Sequence, residues 1–222
     1  MYLSRLRLAA RPDVAALGQL LNPGDDGQRM DAHHRLLWTA FTGDPDARRD
    51  FLWREMGDAS FMVLSSRPPA SAPLFEPPET RDFAPALASG DQLAFALRAN
   101  ATRTVVGSDG RKRHRDVVME ALHGVAPGDR AERRMELAQP AGLRWLEGQG
   151  SRAGFVLDSA IVTAYRVLEP PRAARGRGPR FGVIDLEGVL RITDPAAFLS
   201  RLQVGFGRAK AFGCGLMLIR RA

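Results

Sequence analysis

Residues 193–222 read TDPAAFLSRLQVGFGRAKAFGCGLMLIRRA, and the parsing of this stretch decides the fold. Asp194 followed by Pro195 is a helix start, an acidic N-cap with proline at the first helical position, where its missing N–H leaves nothing unpaired. A helix through TDPAAFLSRLQ follows. Gly205, Gly207, Gly213 and Gly215 then fall within eleven residues, with Arg208 and Lys210 among them, and Leu216–Ile219 closes the chain as a short apolar strand. The order is helix, glycine-rich loop, strand. A dinucleotide fingerprint runs the other way, from a strand through G-x-G-x-x-G into a helix, and its sixth position here is Lys210. A G-x-x-x-x-G-K-[ST] pattern is absent as well. Two readings remain. One is a tight connection that needs glycine's positive φ. The other is a nest of backbone N–H groups facing a phosphate, helped by Arg208 and Lys210.

Working back from the loop, Phe181–Ile192 and Phe155–Leu168 are candidate strands flanking PPRAARGRGPR, residues 170–180. Arg130–Gly148 reads as a helix carrying Leu137, Leu143 and Leu146, broken at Pro140. Residues 103–117 read as a basic loop or hairpin around SDGRKRHRD. Gln92–Ala99 alternates, with Leu93, Phe95 and Leu97 inward and Arg98 pointing the other way. From residue 92 onward the order is therefore β-α-β-β-α-β. The first half starts with a strand at 2–8 and a loop, NPGDDG, at 22–27. A helical face of Met30, His34, Leu37, Trp38 and Phe41 follows and ends at TGDPD, 42–46. Strands at 51–55 and 61–65 flank a GDAS turn, and a proline-rich loop places Leu74 and Phe75 in an edge strand. The expectation is an α+β fold of two tandem ferredoxin-like (RRM-like, βαββαβ) domains, residues 1–88 and 89–222, the first a degenerate copy. Neither half offers much core alone, so the halves should pack together.

Composition narrows the function classes. The 222 residues are 45% hydrophobic, which supports a real core. No apolar run reaches 18 residues, the start MYLSRLRLAA is too short and basic for a signal peptide, and Cys214 is alone. A cytoplasmic protein without membrane segment, disulfide or CxxC metal site is expected. The net charge is +7, and only Lys112 and Lys210 are lysines. Residues 98–115 carry a net +5 and residues 166–180 a net +4, so these two segments exceed the charge of the whole chain. That is the footprint of a polyanion binder.

Four histidines are candidates for acid–base work: His33, His34, His114 and His123. None has acidic or cysteine partners at ligand spacing, so no metal or other cofactor is expected. In AHHRLLW, 32–38, His34 shares a face with Met30, Trp38 and Phe41, while His33 lies over Leu37. Spacing alone does not choose between them.

The pattern G-x-G-x-x-K-x-x-G-x-G-L at Gly205–Leu216 resembles the glycine-rich loop of the repeat-associated (RAMP) proteins of CRISPR systems. MYLS (1–4), FALRANATRT (95–104) and LEGVLRITDPAAF (186–198) also have counterparts, in the same order, in the RNA-processing endoribonucleases of type I-E (Cascade) systems. The resemblance spans nearly the whole chain. It implies two tandem ferredoxin-like domains and metal-independent cleavage of the repeat hairpin in precursor CRISPR RNA. In that chemistry the 2′-hydroxyl attacks the adjacent phosphate and leaves a 2′,3′-cyclic phosphate. It further implies retention of the mature CRISPR RNA beside other Cascade subunits, by a protein that is a monomer when isolated. The family's histidine falls on His34, with Asp31, Arg35 and His33 as possible support. Where some members have tyrosine and lysine, this chain has Asp31 and Thr39. Asp31 either orients His34 or caps the helix, and Arg35 is a stand-in for the missing cation. A basic segment of the family enters the RNA groove. The matching candidates are Arg98, Arg103, Arg111, Lys112, Arg113, Arg115, Arg172, Arg175 and Arg177. The loop residues Gly205, Gly207, Arg208, Lys210, Gly213 and Gly215 are assigned to the RNA backbone. The alternatives are a RAMP-type subunit that binds the hairpin without cutting it, and a general basic RNA-binding protein.

Overall fold

The computed structural model describes residues 1–41, 49–171 and 180–222. The expected TGDPD turn, Arg172, Arg175 and Arg177 lie outside the described residues. In chain order the elements are β1 (Tyr2–Arg7), α1 (Pro12–Ala16), α2 (Gly18–Leu21), α3 (Asp26–Trp38), β2 (Phe51–Gly57), β3 (Ser60–Ser65) and β4 (Glu79–Asp82). They continue as β5 (Gln92–Ala99), β6 (Thr102–Val106), β7 (Lys112–Asp116), α4 (Val117–Ala121), α5 (Arg130–Ala153), β8 (Phe155–Leu168), β9 (Phe181–Ile192), α6 (Pro195–Val204) and β10 (Met217–Arg221).

Two antiparallel four-stranded sheets result, ordered β2-β3-β1-β4 and β10-β5-β9-β8. Counting strands within each sheet, both orders are 4-1-3-2 read from one edge, the ferredoxin-like arrangement. The second unit is complete, with α5 and α6 as its crossovers. The first has α3 but only a proline-rich loop where a second helix would lie. Hairpin β6–β7 is an insertion between β5 and α5. The alternation of β5 holds: Leu93, Phe95, Leu97 and Ala99 are buried and Arg98 faces the other way.

Three details differ from the sequence reading. Helix α3 begins at Asp26 rather than Met30, because Asp25, inside the expected loop, accepts from the Gln28 N–H at 2.8 Å. Helix α5 runs through Pro140 to Ala153. The one backbone bond that proline removes is outweighed by packing on both sides of it, where Ala138, Ala141, Trp145 and Leu146 are buried. The edge strand of the first sheet is the exposed ETRD of β4, which shows no apolar alternation, while Phe75 makes only an isolated bridge to Leu8.

The halves share their cores. Leu3, Leu52 and Leu64 of the first sheet join the cluster around Leu97, Leu186 and Phe206. Leu168, Val183 and Cys214 of the second unit join the cluster around Leu37, Trp53 and Phe61. Asp185 on β9 adds a polar tie. It accepts from Arg98 of β5 at 2.8 Å and pairs with Arg166 of β8 at 3.5 Å and Arg54 of β2 at 3.7 Å. The glycine-rich loop closes the seam. A Cβ at Gly205 would come within 2.7 Å of Leu52, and one at Gly213 within 3.1 Å of the Trp53 ring. Gly205 also has φ 83° and ψ 162°, a region essentially restricted to glycine. Gly205→Ala should therefore cost at least about 2 kcal/mol from strain and overlap. Urea denaturation would show this as a lowered midpoint.

Candidate functional site

Adjacent residues on a helix diverge by about 100°, and on α3 this sends the two histidines to different environments. His33 has no exposed surface. Its ring meets Phe61 edge-on at 4.8 Å and Trp53 at 6.2 Å, and neither ring nitrogen has a hydrogen-bond partner among the described residues. Burial, with the charge of Arg29, pushes its pKa down to about 4. The buried face of α3 is thus Met30, His33, Leu36 and Leu37. The expected face through His34 and Trp38 is rotated to the edge of the core, since both residues are only half-buried.

His34 lies where α3 meets the second unit. Its Nε2 accepts from the Trp38 Nε1–H at 3.0 Å, one turn on, which corresponds to a neutral imidazole with its proton on Nδ1. Its ring centroid is 6.5 Å from that of Phe212. Phe212 belongs to a 3₁₀ turn, Lys210–Phe212, inside the glycine-rich loop, and this turn packs on α3. Burial holds the His34 pKa below 6.5, followed by the charge of Arg49, while Asp31 opposes the shift and Arg35 adds to it. Arg49, just before β2, is half-buried and acts electrostatically on both His34 and Lys210. Lys210 donates to the Val204 carbonyl at 2.7 Å, and its pKa is lowered by burial and by Arg201 and Arg49.

The support residues read from sequence fall otherwise. Asp31 is ion-paired with Arg35 one turn away and does not cap the helix, a role taken by Asp25. Arg35 is largely exposed. Arg49, a cation in the field of His34, carried no signal in the sequence, because it sits in DARRD with no periodicity and nothing in the chain order places it beside α3. Phe212 was hidden for the same reason.

The basic candidates also separate. Arg98 is bound to Asp185 in the interior, so its guanidinium faces away from solvent. Arg103 is paired with Glu120, Arg115 lies 3.6 Å from the same carboxylate, and Arg113 donates to Asp109 at 2.7 Å. Arg111 and Lys112 are exposed at the hairpin tip. In the glycine-rich loop, the N–H groups of Gly205, Phe206, Arg208, Phe212 and Gly215 are all bonded to protein carbonyls. They are not open to a phosphate, and the loop offers the Arg208 and Lys210 side chains instead. Among the described residues no group of three or more His, Cys, Asp or Glu could hold a metal ion, and no helix is long and apolar enough to cross a membrane.

A family model described as CRISPR associated protein matches residues 1–221. The chain is 30% identical to the CRISPR system Cascade subunit CasE of Escherichia coli K12, over 83% of its own length and 88% of that protein. The chain belongs to the CRISPR-associated family of type I-E Cascade endoribonucleases. It is also 26% identical to the CRISPR-associated endoribonuclease Cse3 of Thermus thermophilus, over 99% of both chains. The crystal structure of Cas6e from Escherichia coli K-12 has the same fold over the whole of both chains, with a TM-score of 0.66 at 20% identity.

The buried histidine makes stability depend on pH. His33 is neutral in the folded protein down to about pH 4, while in the unfolded chain it takes up a proton near 6.5. Its contribution is therefore complete above pH 6.5 and is lost as pH falls toward 4, a total of about 3 kcal/mol. His33→Phe, which keeps the ring contacts, should flatten that part of the stability profile in denaturant titrations between pH 4 and 7.

Proposed function

We propose that this family member cuts the repeat hairpin of precursor CRISPR RNA without a metal ion, using His34, and stays on the mature RNA within the Cascade effector complex. The observation that carries the reading is the convergence of His34, from the first half, with the Lys210–Phe212 turn of the glycine-rich loop, from the second. His34 Nε2 exchanges the Trp38 indole for the RNA 2′-hydroxyl and takes its proton. The oxygen attacks the adjacent phosphate, the 5′-oxygen departs with a proton, and a 2′,3′-cyclic phosphate remains. Arg49 and Lys210 face the charge that develops on the phosphate. The exposed tip and outer face of β6–β7, with Arg111, Lys112, Arg113 and Arg115, contact the stem by shape and phosphate, and Arg172, Arg175 and Arg177 belong to the same interface. The name of CasE as a Cascade subunit supports a place in that assembly, and the name of Cse3 supports the activity. The reading includes a division at residues 88 and 89, a cytoplasmic location and a monomer when isolated. The Trp38 bond to Nε2 favours one second reading, a subunit that holds the hairpin without cutting it, because the lone pair needed for the base is occupied.

His34→Ala should abolish cleavage of a repeat stem-loop in EDTA while leaving its binding within about twofold. Normal cutting by that variant would refute the assignment, and failure of the wild type to cut would favour the second reading. With His34 as base, kcat/KM should fall on the acid side with an apparent pKa below 6.5. Arg49→Ala and Lys210→Ala should each slow single-turnover cleavage by roughly 10²–10³-fold, the range for removing one preorganised charge-stabilising group.

A further inference from the structure

A cleft of about 760 Å³ lies away from His34, between β6, α4 and α5. Arg103, Arg144 and Arg152 line it, with Thr102, Thr104 and Gln149 supplying hydroxyl and amide groups. Glu120, the one acidic residue in its wall, is taken up by Arg103. Arg144 and Arg152 are exposed and have no ion-pair partner among the described residues. They stand eight residues apart on one helical ridge, roughly 12 Å along the axis.

Between them on that ridge is Gly148. Helix α5 has three interior glycines, and two have packing reasons. A Cβ at Gly142 would meet Ile184 at 2.6 Å, and one at Gly150 the Phe155 carbonyl at 2.6 Å. A Cβ at Gly148 would meet nothing within 4 Å. Its backbone is helical, so neither φ nor the fold requires glycine, and glycine weakens a helix interior relative to alanine. The bare backbone at the floor of a basic cleft is a place where a ligand can approach closely.

The wall of the cleft touches the glycine-rich loop and the helix that leads into it. Arg201 donates to Gln149 at 2.9 Å and lies over the Phe206 ring, and Trp145 in the cleft wall packs against Gly207 of the glycine-rich loop. We propose that this cleft is a second RNA subsite, in which Arg144 and Arg152 hold phosphates of the repeat RNA strand passing between hairpin β6–β7 and His34, with the backbone seated on Gly148. The inference rests on the RNA-processing reading and adds a separate set of contacts to it. RNA is favoured over an acidic protein segment because hairpin β6–β7 forms one wall of the cleft through Thr102, Arg103 and Thr104, and the opposite wall touches the glycine-rich loop through Trp145.

The test measures fluorescence anisotropy of a labelled repeat stem-loop across 50–200 mM salt, in EDTA, for wild type, R144E/R152E, R144K/R152K and Gly148→Leu. Each phosphate contact contributes close to one unit to the slope of log K against log salt. R144E/R152E should bind at least tenfold more weakly, with a slope shallower by one to two units, and the lysine pair should restore the slope. Gly148→Leu should weaken binding without lowering the melting temperature, separating a blocked cleft from a damaged fold. Affinity and slope unchanged in both R144E/R152E and Gly148→Leu would overturn the subsite. So would intact RNA binding with lost association to other Cascade subunits, which would assign the cleft to a protein partner. Failure of the wild type itself to bind the stem-loop would overturn the RNA-processing reading and the subsite together.

Discussion

The contact between the glycine-rich loop and strand β2 is the constraint on which the rest depends. Leu52 and Trp53 project from β2 into space that only residues without a Cβ can leave, and Gly205 and Gly213 leave it. The loop then has one way to lie. Its backbone is stapled to β5 and its continuation by Gly215 N–H to Arg98 and Arg208 N–H to Asn100, and the Lys210–Phe212 turn comes to rest on α3. The glycines serve close approach and positive φ, and the N–H groups of Gly205, Phe206, Arg208, Phe212 and Gly215 are spent on protein carbonyls. One packing requirement therefore joins the two halves and brings the Phe212 ring of one to the histidine of the other.

Burial separates the roles of the two histidines. A fully buried imidazole between two aromatic rings is held neutral far below physiological pH, and no proton acceptor or donor reaches its nitrogens among the described residues. It fills the core as an aromatic. The half-buried neighbour keeps a pKa below its ordinary value but within reach of solvent, with an indole bond that a hydroxyl can replace. A base for 2′-hydroxyl attack must be unprotonated at neutral pH and accessible, and of the pair only His34 combines these properties.

Much of the fold was legible because its signals are local. Period-two alternation marked β5, the Asp194–Pro195 start marked α6, and element order from residue 92 marked the second ferredoxin-like unit. Local signals failed where tertiary packing overrides them, as at Pro140, or where a strand has no buried face, as in β4. The candidate site was legible only in part. A histidine pair on an amphipathic helix is visible, but its rotation is not, since residues 33 and 34 flank the same seam and either could face the core. Arg49, Phe212 and the Arg98–Asp185 pair depend on contacts between segments far apart in the chain, which no spacing records. Arg98 shows the limit well. It points away from the β5 core as read, and its guanidinium is engaged there by the Asp185 carboxylate.

The arrangement of cations gives the site a common physical logic. Arg152 bears on Arg201, Arg201 and Arg49 bear on Lys210, and Arg49 bears on His34, each disfavouring the charge of the next. Among nearby carboxylates, Asp31 pairs with Arg35 and only partly offsets the effect on His34, while Glu120 pairs with Arg103 and Asp185 with Arg98. A fold stabilised for its own sake would intersperse opposite charges along such a line. Here the repulsion is kept, and a polyanion laid along it relieves the repulsion and supplies the counter-charge at once. Burial does most to hold His34 neutral, and the charge of Arg49 adds to it.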